Sequence, residues 1–246
     1  MQAIGIDVGG SGVKAALVDV GTGEFVGERV RVRTPQPATP AAVVAAAREV
    51  IAEFPVGLPV GVAVPAVVLD GVTMTAANLD SGWVGAPARD LFSEGLGYPV
   101  TMINDADAAG VGEARHGAAR DVAGVVLLLT LGTGIGSALI SDGLLIPNTE
   151  LGHLQVRGDD AEHLAASAVR TAEDLSWAEW AARLSEVIRA MDALLWPDLV
   201  LLGGGVSRKA DKFIPLLDVR PPVLAAGLRN AAGIIGAACL AADASG

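Results

Sequence analysis

The sequence predicts an α/β fold assembled from two halves, and three observations predict it. Short apolar strand patterns alternate with helical ones along the chain. A hairpin with a glycine turn opens near the N-terminus at Gly9-Gly10-Ser11-Gly12, and a comparable one follows at Gly132-Thr133-Gly134-Ile135-Gly136. No linker, low-complexity tail or short tandem repeat interrupts the chain.

Taken in order, Gln2 to Val8, Val13 to Val20 and Glu24 to Arg33 read as three antiparallel neighbours, the last on a two-residue alternation. Thr34-Pro35-Gln36-Pro37-Ala38-Thr39-Pro40 must be a loop, and it ends with Thr39 as helix N-cap and Pro40 at the first helical position. Val43, Val44, Ala47, Val50, Ile51 and Phe54 then share one face of a helix over Ala41 to Phe54, and Pro59 to Val64 is a buried strand. The second half begins at Gly124, with strands at Val125 to Thr130 and Ser137 to Ile140. A long helix from about Ser176 to Trp196, a strand at Asp198 to Leu202 and a terminal helix from about Asn230 complete it. On the long helix Trp177, Trp180, Leu184, Val187, Ile188, Met191 and Leu195 recur at helical spacing, a stripe that packing explains more readily than ligand binding.

Composition narrows the function. With 246 residues there is chain for one or two domains around an enclosed site, and 52% hydrophobic against 18% charged residues excludes disorder. The mean hydropathy of +0.50 raises the question of a membrane protein. The longest uncharged run, Val122 to Ser141, carries four glycines and four hydroxyl residues and reads as two strands rather than a span. No secretory leader precedes Asp7, so a cytoplasmic protein is expected. One cysteine, Cys239, excludes an internal disulfide framework, and three scattered histidines argue against structural zinc. A net charge of −11 argues against a general nucleic-acid binder, leaving Arg208, Lys209 and Lys212 as a rare basic cluster.

Three constellations could carry chemistry. The first is a set of glycine-rich turns, where backbone N–H groups can approach an anion. Asp7 to Lys14 reads either as a Mg²⁺ and phosphate pairing or as a tight hairpin with a surface lysine. The turn at Gly132 leads into a strand, which rejects a dinucleotide fingerprint, whereas Gly203-Gly204-Gly205-Val206-Ser207-Arg208-Lys209 follows a strand and is expected to open a helix. The second constellation is Asn104-Asp105-Ala106-Asp107, where a strand ends and a helix begins. Its carboxylate is either a helix cap or a base that takes a proton from a substrate hydroxyl, and the two readings stand even. The third, Glu150-Leu151-Gly152-His153, sets a carboxylate and an imidazole three residues apart, for hydrogen bonds to a sugar or as a plain surface pair.

Together these segments resemble the ROK family of sugar kinases in the actin-like ATPase superfamily, through nearly the whole chain. The resemblance is carried by Gly5 to Gly12, Thr34 to Pro40, Asn104 to Ala109, Leu131 to Ser137, Pro147 to His153 and Gly203 to Lys209. The second and last of these look like the branch that uses polyphosphate. The resemblance implies a duplicated actin-like ATPase (ribonuclease H-like) fold with two α/β domains around a cleft. The smaller domain would be 1–106, completed by a C-terminal helix at about 230–246, and the larger 107–229. It implies phosphoryl transfer from polyphosphate and ATP to the 6-hydroxyl of glucose with Mg²⁺, by a homodimer that binds neither nucleic acid nor membrane. The alternatives are an ATP-preferring kinase for glucose and mannose, or a sugar-binding regulator without catalysis.

Asp105 matches the family's catalytic base, and Asn78, Asn104, Glu150 and His153 match sugar contacts. Glu162 stands where many ROK members carry a sugar-binding glutamate after a cysteine-rich zinc motif; that motif is missing here, so zinc is not expected. Asp7, Gly9, Gly10, Lys14, Thr133, Gly134, Gly204 and Gly205 match donor-phosphate or nucleotide positions, with Asp7 toward Mg²⁺ through water. Lys209 and Lys212, with Arg208, are the candidates for a polyphosphate groove.

Overall fold

The structure, a computed structural model, describes residues 1–76 and 79–245, so the candidate sugar contact Asn78 lies outside the described residues. The first hairpin pairs β1 (Gln2–Gly9) with β2 (Gly12–Asp19), setting Asp7 opposite Lys14. The single strand expected over Glu24 to Arg33 is instead two short ones, β3 (Glu24–Phe25) and β4 (Val30–Val32), both antiparallel to β2. Gly27, at φ 86°, turns the chain between them. Thr39 caps α1 (Pro40–Ile51) by accepting the Ala42 N–H at 3.3 Å, with Pro40 in the first turn. Next come β5 (Val60–Val64), buried throughout, and a ribbon of β6 (Val68–Leu69) and β7 (Val72–Thr73). Then α2 (Ala88–Leu96) stops at left-handed Gly97, and β8 (Thr101–Asn104) passes directly into α3 (Asp105–His116).

The second half opens on the hairpin β9 (Val125–Leu131) and β10 (Ile135–Ser141), so the long uncharged run is two strands and a turn. Among the described residues no helix is long and apolar enough to cross a membrane. After β11 (Leu144–Ile146) come a ribbon of β12 (Gln155–Val156) and β13 (Asp159–Asp160), then α4 (Ala161–Ala165) and α5 (Ser167–Ala172). The long helix α6 (Trp177–Leu195) starts with a capping box between Ser176 and Glu179. It is followed by β14 (Leu199–Gly203), β15 (Val223–Ala225) and α7 (Ala232–Asp243). The segment after β14 departs from expectation. Gly205–Lys212 is 3₁₀ in character and kinked at Lys209, whose φ of −116° is not helical, so no α-helix N-terminus opens there.

Two sheets result, with one plan. The first runs β3-β2-β1-β5-β8, with β4 also on β2, and the second runs β11-β10-β9-β14-β15. In each, an antiparallel hairpin is continued by two parallel strands, β5 and β8 after β1, β14 and β15 after β9. Two compact units contain them, residues 1–112 with 231–246 and residues 113–230.

The units pack differently. In the first, Ile4, Ile6 and Val8 join Val43, Ala47 and Val50 of α1 and Phe92 of α2, while the alternate side of β1 and β5 receives α7. There the glycines are structural: a Cβ on Gly5 would strike the Ile234 carbonyl oxygen, and one on Gly61 that of Ala237. In the second unit the α6 stripe is core. Trp180, Leu184, Val187, Ile188 and Met191 pack with Leu127, Leu129 and Leu202, and Trp180 meets Phe213 edge-on at 4.9 Å.

Candidate active site

In the first unit, the Asp7–Lys14 register becomes an ion pair, Lys14 Nζ donating to Asp7 Oδ2 at 2.7 Å, with both side chains mostly sheltered. The adjoining turn is braced from outside the hairpin. The Thr34 hydroxyl donates to the Gly9 carbonyl, and Arg31 donates to the Ser11 carbonyl at 3.1 Å. Thus the Thr34 to Pro40 motif begins by holding the glycine turn. Gly9 and Gly12 are not left-handed, and the space beside Gly12 is taken by the Arg31 side chain.

At the β8–α3 junction the capping role falls to Asn104. Asn104 is the helix cap: its Oδ1 accepts the N–H groups of Ala106 at 2.8 Å and Asp107 at 3.1 Å, and its Nδ2 donates to the Ala66 carbonyl at 3.2 Å. The cap leaves Asp105 in the first turn of the helix, partly exposed, with its Oδ1 2.9 Å from the Ala106 nitrogen. Asp7 and Asp105 flank one glycine of α7. A Cβ on Gly233 would lie 3.8 Å from the Asp105 carbonyl oxygen and 3.9 Å from the Asp7 carboxyl carbon.

In the second unit the loop Gly132-Thr133-Gly134 is braced by carbonyl and carboxylate contacts. Ser167 Oγ and the Ala168 N–H both donate to the Gly132 carbonyl at 3.0 Å, and the Ile135 N–H donates to Glu162 Oε2 at 3.2 Å. A Cβ on Gly134 would occupy the place of the Glu162 carboxylate. Glu162 therefore lies beneath the loop rather than free in solvent. Gly204 is the one glycine among these turns with a left-handed φ, 79°, and a Cβ there would strike the Leu131 backbone.

Glu150 and His153 do come together, on a 3₁₀ turn, Leu151–His153, with His153 Nε2 4.0 Å from Glu150 Oε2. The other ring nitrogen, Nδ1, is 2.9 Å from Asp160 Oδ2, and the second Asp160 oxygen accepts from Gln155. The Asp160 hydrogen bond raises the His153 pKa above its ordinary 6.5, with burial opposing and the Glu162, Asp160 and Glu150 charges assisting. Shelter raises the Glu150 pKa, His153 lowers it, and Glu162 raises it again. Sequence reasoning missed Asp160, whose only signal was the acidic run Asp159-Asp160-Ala161-Glu162. It also missed Glu113, a fully buried carboxylate that accepts the N–H groups of Ala118, Gly227 and Leu228 at 2.7, 2.9 and 2.7 Å. A lone glutamate inside Gly110 to Ala114 was its signal.

Two sheets of one strand order, each headed by a hairpin with a backbone loop and one followed by a carboxylate in the first turn of a helix, define the actin-like ATPase class of sugar kinases. The family model described as ROK family matches residues 3–168. The polyphosphate glucokinase of Mycobacterium tuberculosis (strain CDC 1551 / Oshkosh) is 53% identical over 238 residues, 96% of this chain and 90% of its own. That of Mycobacterium leprae (strain TN) is 50% identical, over 96% and 74%. The crystal structure of the inorganic polyphosphate/ATP-glucomannokinase from Arthrobacter sp. strain KM superimposes with a TM-score of 0.95 at 47% identity, covering 99% of both chains. The chain belongs to the ROK family.

Proposed function

We propose that this chain transfers a phosphoryl group from inorganic polyphosphate or ATP to the 6-hydroxyl of glucose, with Asp105 as general base. The observation that carries the reading is the 53% identity to a polyphosphate glucokinase across 96% of the chain. The geometry supports the roles. Phosphoryl transfer asks for positioning and charge neutralisation more than covalent chemistry, so the needed parts are a base, backbone loops and a few cations. Asp105, held by a capped helix start, takes the hydroxyl proton. Asn104, with one amide N–H beyond its bond to Ala66, together with Asn78, Glu150, His153 and Glu162, makes the sugar contacts. Gly9, Gly10, Thr133, Gly134, Gly204 and Gly205 offer backbone N–H groups to the donor, with Lys14, Lys209 and Lys212 as its cations.

Mg²⁺ belongs to this reading, and the donor set fits it. Among the described residues there is no group of three or more His, Cys, Asp or Glu side chains that could hold a metal, and Mg²⁺ is commonly held by one carboxylate plus water and substrate phosphates. Asp7 has one oxygen on Lys14 and the other available for that role. When bound, the ion would neutralise charge on the donor phosphates. A cytoplasmic homodimer completes the proposal.

The Arthrobacter relative is a glucomannokinase, which favours one widening: mannose is a second acceptor. The test is hexose 6-phosphate formation by the purified protein with Mg²⁺, comparing nucleotide-free polyphosphate with ATP and glucose with mannose. Turnover of glucose with polyphosphate alone is expected. Turnover with ATP only would overturn the donor assignment, and silence with both would overturn the reading.

A further inference from the structure

Two groups stand out among the described cations of the second unit. Arg157, Arg183, Arg189 and Arg220 each lie against a carboxylate. Arg170, Arg208, Lys209 and Lys212 do not, although the chain carries eleven more acidic than basic residues. Arg170 is the member that sequence reasoning never joined to the basic cluster. Its guanidinium carbon sits 3.7 Å over the Trp177 ring, and Lys209 Nζ is 5.9 Å from the same ring. Arg170 Nε is enclosed and makes no hydrogen bond among the described residues. Residues some forty positions apart in sequence thus meet at one indole.

Both carrying elements are fastened to the same strand end. The α5 helix, which bears Arg170, is tied to the Gly132 carbonyl by Ser167 and Ala168, while Gly204, at the head of the segment bearing Lys209, packs on Leu131. The cations are therefore anchored beside the Gly132-Thr133-Gly134 loop. Trp177 is not an open platform for a nucleobase, because Arg170 covers it and Phe213 lies nearly parallel to it, 17° and 5.9 Å away. The indole serves instead to seat the Arg170 guanidinium, a planar cation suited to phosphate, and to limit its freedom.

We infer that Arg170, supported by Trp177, is a specificity-determining contact for polyphosphate: it takes phosphate units beyond the one transferred, alongside Lys209. The inference rests on the proposed use of polyphosphate. A long polyanion continues to present phosphate past the loop and gains from this extra cation, whereas ATP has only two phosphates beyond the transferred one before its uncharged nucleoside.

The test compares wild type, Arg170→Gln and Arg170→Lys in steady-state kinetics with long-chain polyphosphate and with ATP, and by titration calorimetry with long-chain polyphosphate alone. Arg170→Gln is expected to raise the polyphosphate KM about tenfold or more, the range for losing a charge-assisted hydrogen bond, with the ATP KM and both kcat values within twofold. Its polyphosphate affinity should also depend less steeply on salt. Arg170→Lys retains charge without the planar fork and should recover part of the loss. Equal effects on both donors, or none on polyphosphate in an enzyme that uses it, would overturn the inference alone. A wild type that neither turns over nor binds polyphosphate would overturn the donor reading along with it.

Discussion

The two sheets share a strand order but are covered by opposite means. On the first, α7 is built almost wholly of alanine, glycine and isoleucine and approaches so closely that Gly5 and Gly61 have no space for a Cβ. On the second, α6 stands off on indole and benzyl rings, with Trp180, Phe213 and Trp177 filling the gap. The lesson is that a strand order does not dictate an interface. Close backbone contact makes the first unit intolerant of added atoms, and bulky filling makes the second intolerant of removed ones.

Substitutions sharpen that contrast. Trp180→Ala should cost the most, about 3–5 kcal/mol, because the ring is fully buried and its Nε1 also donates to the Ala165 carbonyl at 3.1 Å. Chemical denaturation of the variant would show it, and a loss below about 1 kcal/mol would mean that the aromatic cluster is not the keystone of the second unit. Asp105→Asn separates chemistry from packing: the fold should persist while kcat falls by a factor of about 10² or more and the glucose KM moves only a few-fold. Wild-type turnover in that variant would remove Asp105 from the role of base.

Gly61→Ala is the mirror of the tryptophan change. Its new methyl must displace the Ala237 carbonyl, for a loss of about 1–3 kcal/mol read from the denaturation midpoint; a neutral result would break the contrast between the two interfaces. Asp160→Asn should act most gently. It removes the largest influence holding the His153 pKa above 6.5, so the imidazole should titrate lower, as histidine NMR would follow. Because protonated His153 gains a partner on folding, this pair favours the folded state at acidic pH and the benefit disappears as pH rises through the elevated pKa. The wild type should therefore lead the variant in stability below pH 6.5 and match it in alkali, and an advantage at alkaline pH would contradict the assignment.

Much of this was legible in the sequence, for reasons that differ by residue. Both hairpins were marked by apolar runs closed by glycines, Thr39 and Pro40 announced α1, and Ser176 announced α6, because these signals are local. Strand order could not be read that way, being set by contacts distant along the chain. Glycine was read for its freedom of φ, yet at Gly12 and Gly134 the backbone is not left-handed and the space beside it is filled by the Arg31 and Glu162 side chains, which only the fold reveals. The segment after β14 looked like a helix start because it follows a strand and three glycines. Its kink at Lys209 arises where nothing in the residue types marks it. The lone Glu113 could not be assigned a role for a similar reason: the N–H groups of Gly227 and Leu228 that satisfy it lie more than a hundred residues away.

The placement of α7 also matters for synthesis. A ribosome has made every strand of the first sheet once Asn104 is out, yet the helix that covers Gly5 and Gly61 is not made until after residue 231. Between those moments the contiguous stretch 113–230 is produced in full. The unit begun first is thus the one finished last, and during elongation its uncovered sheet face is available to chaperones, while the second unit can fold as it emerges.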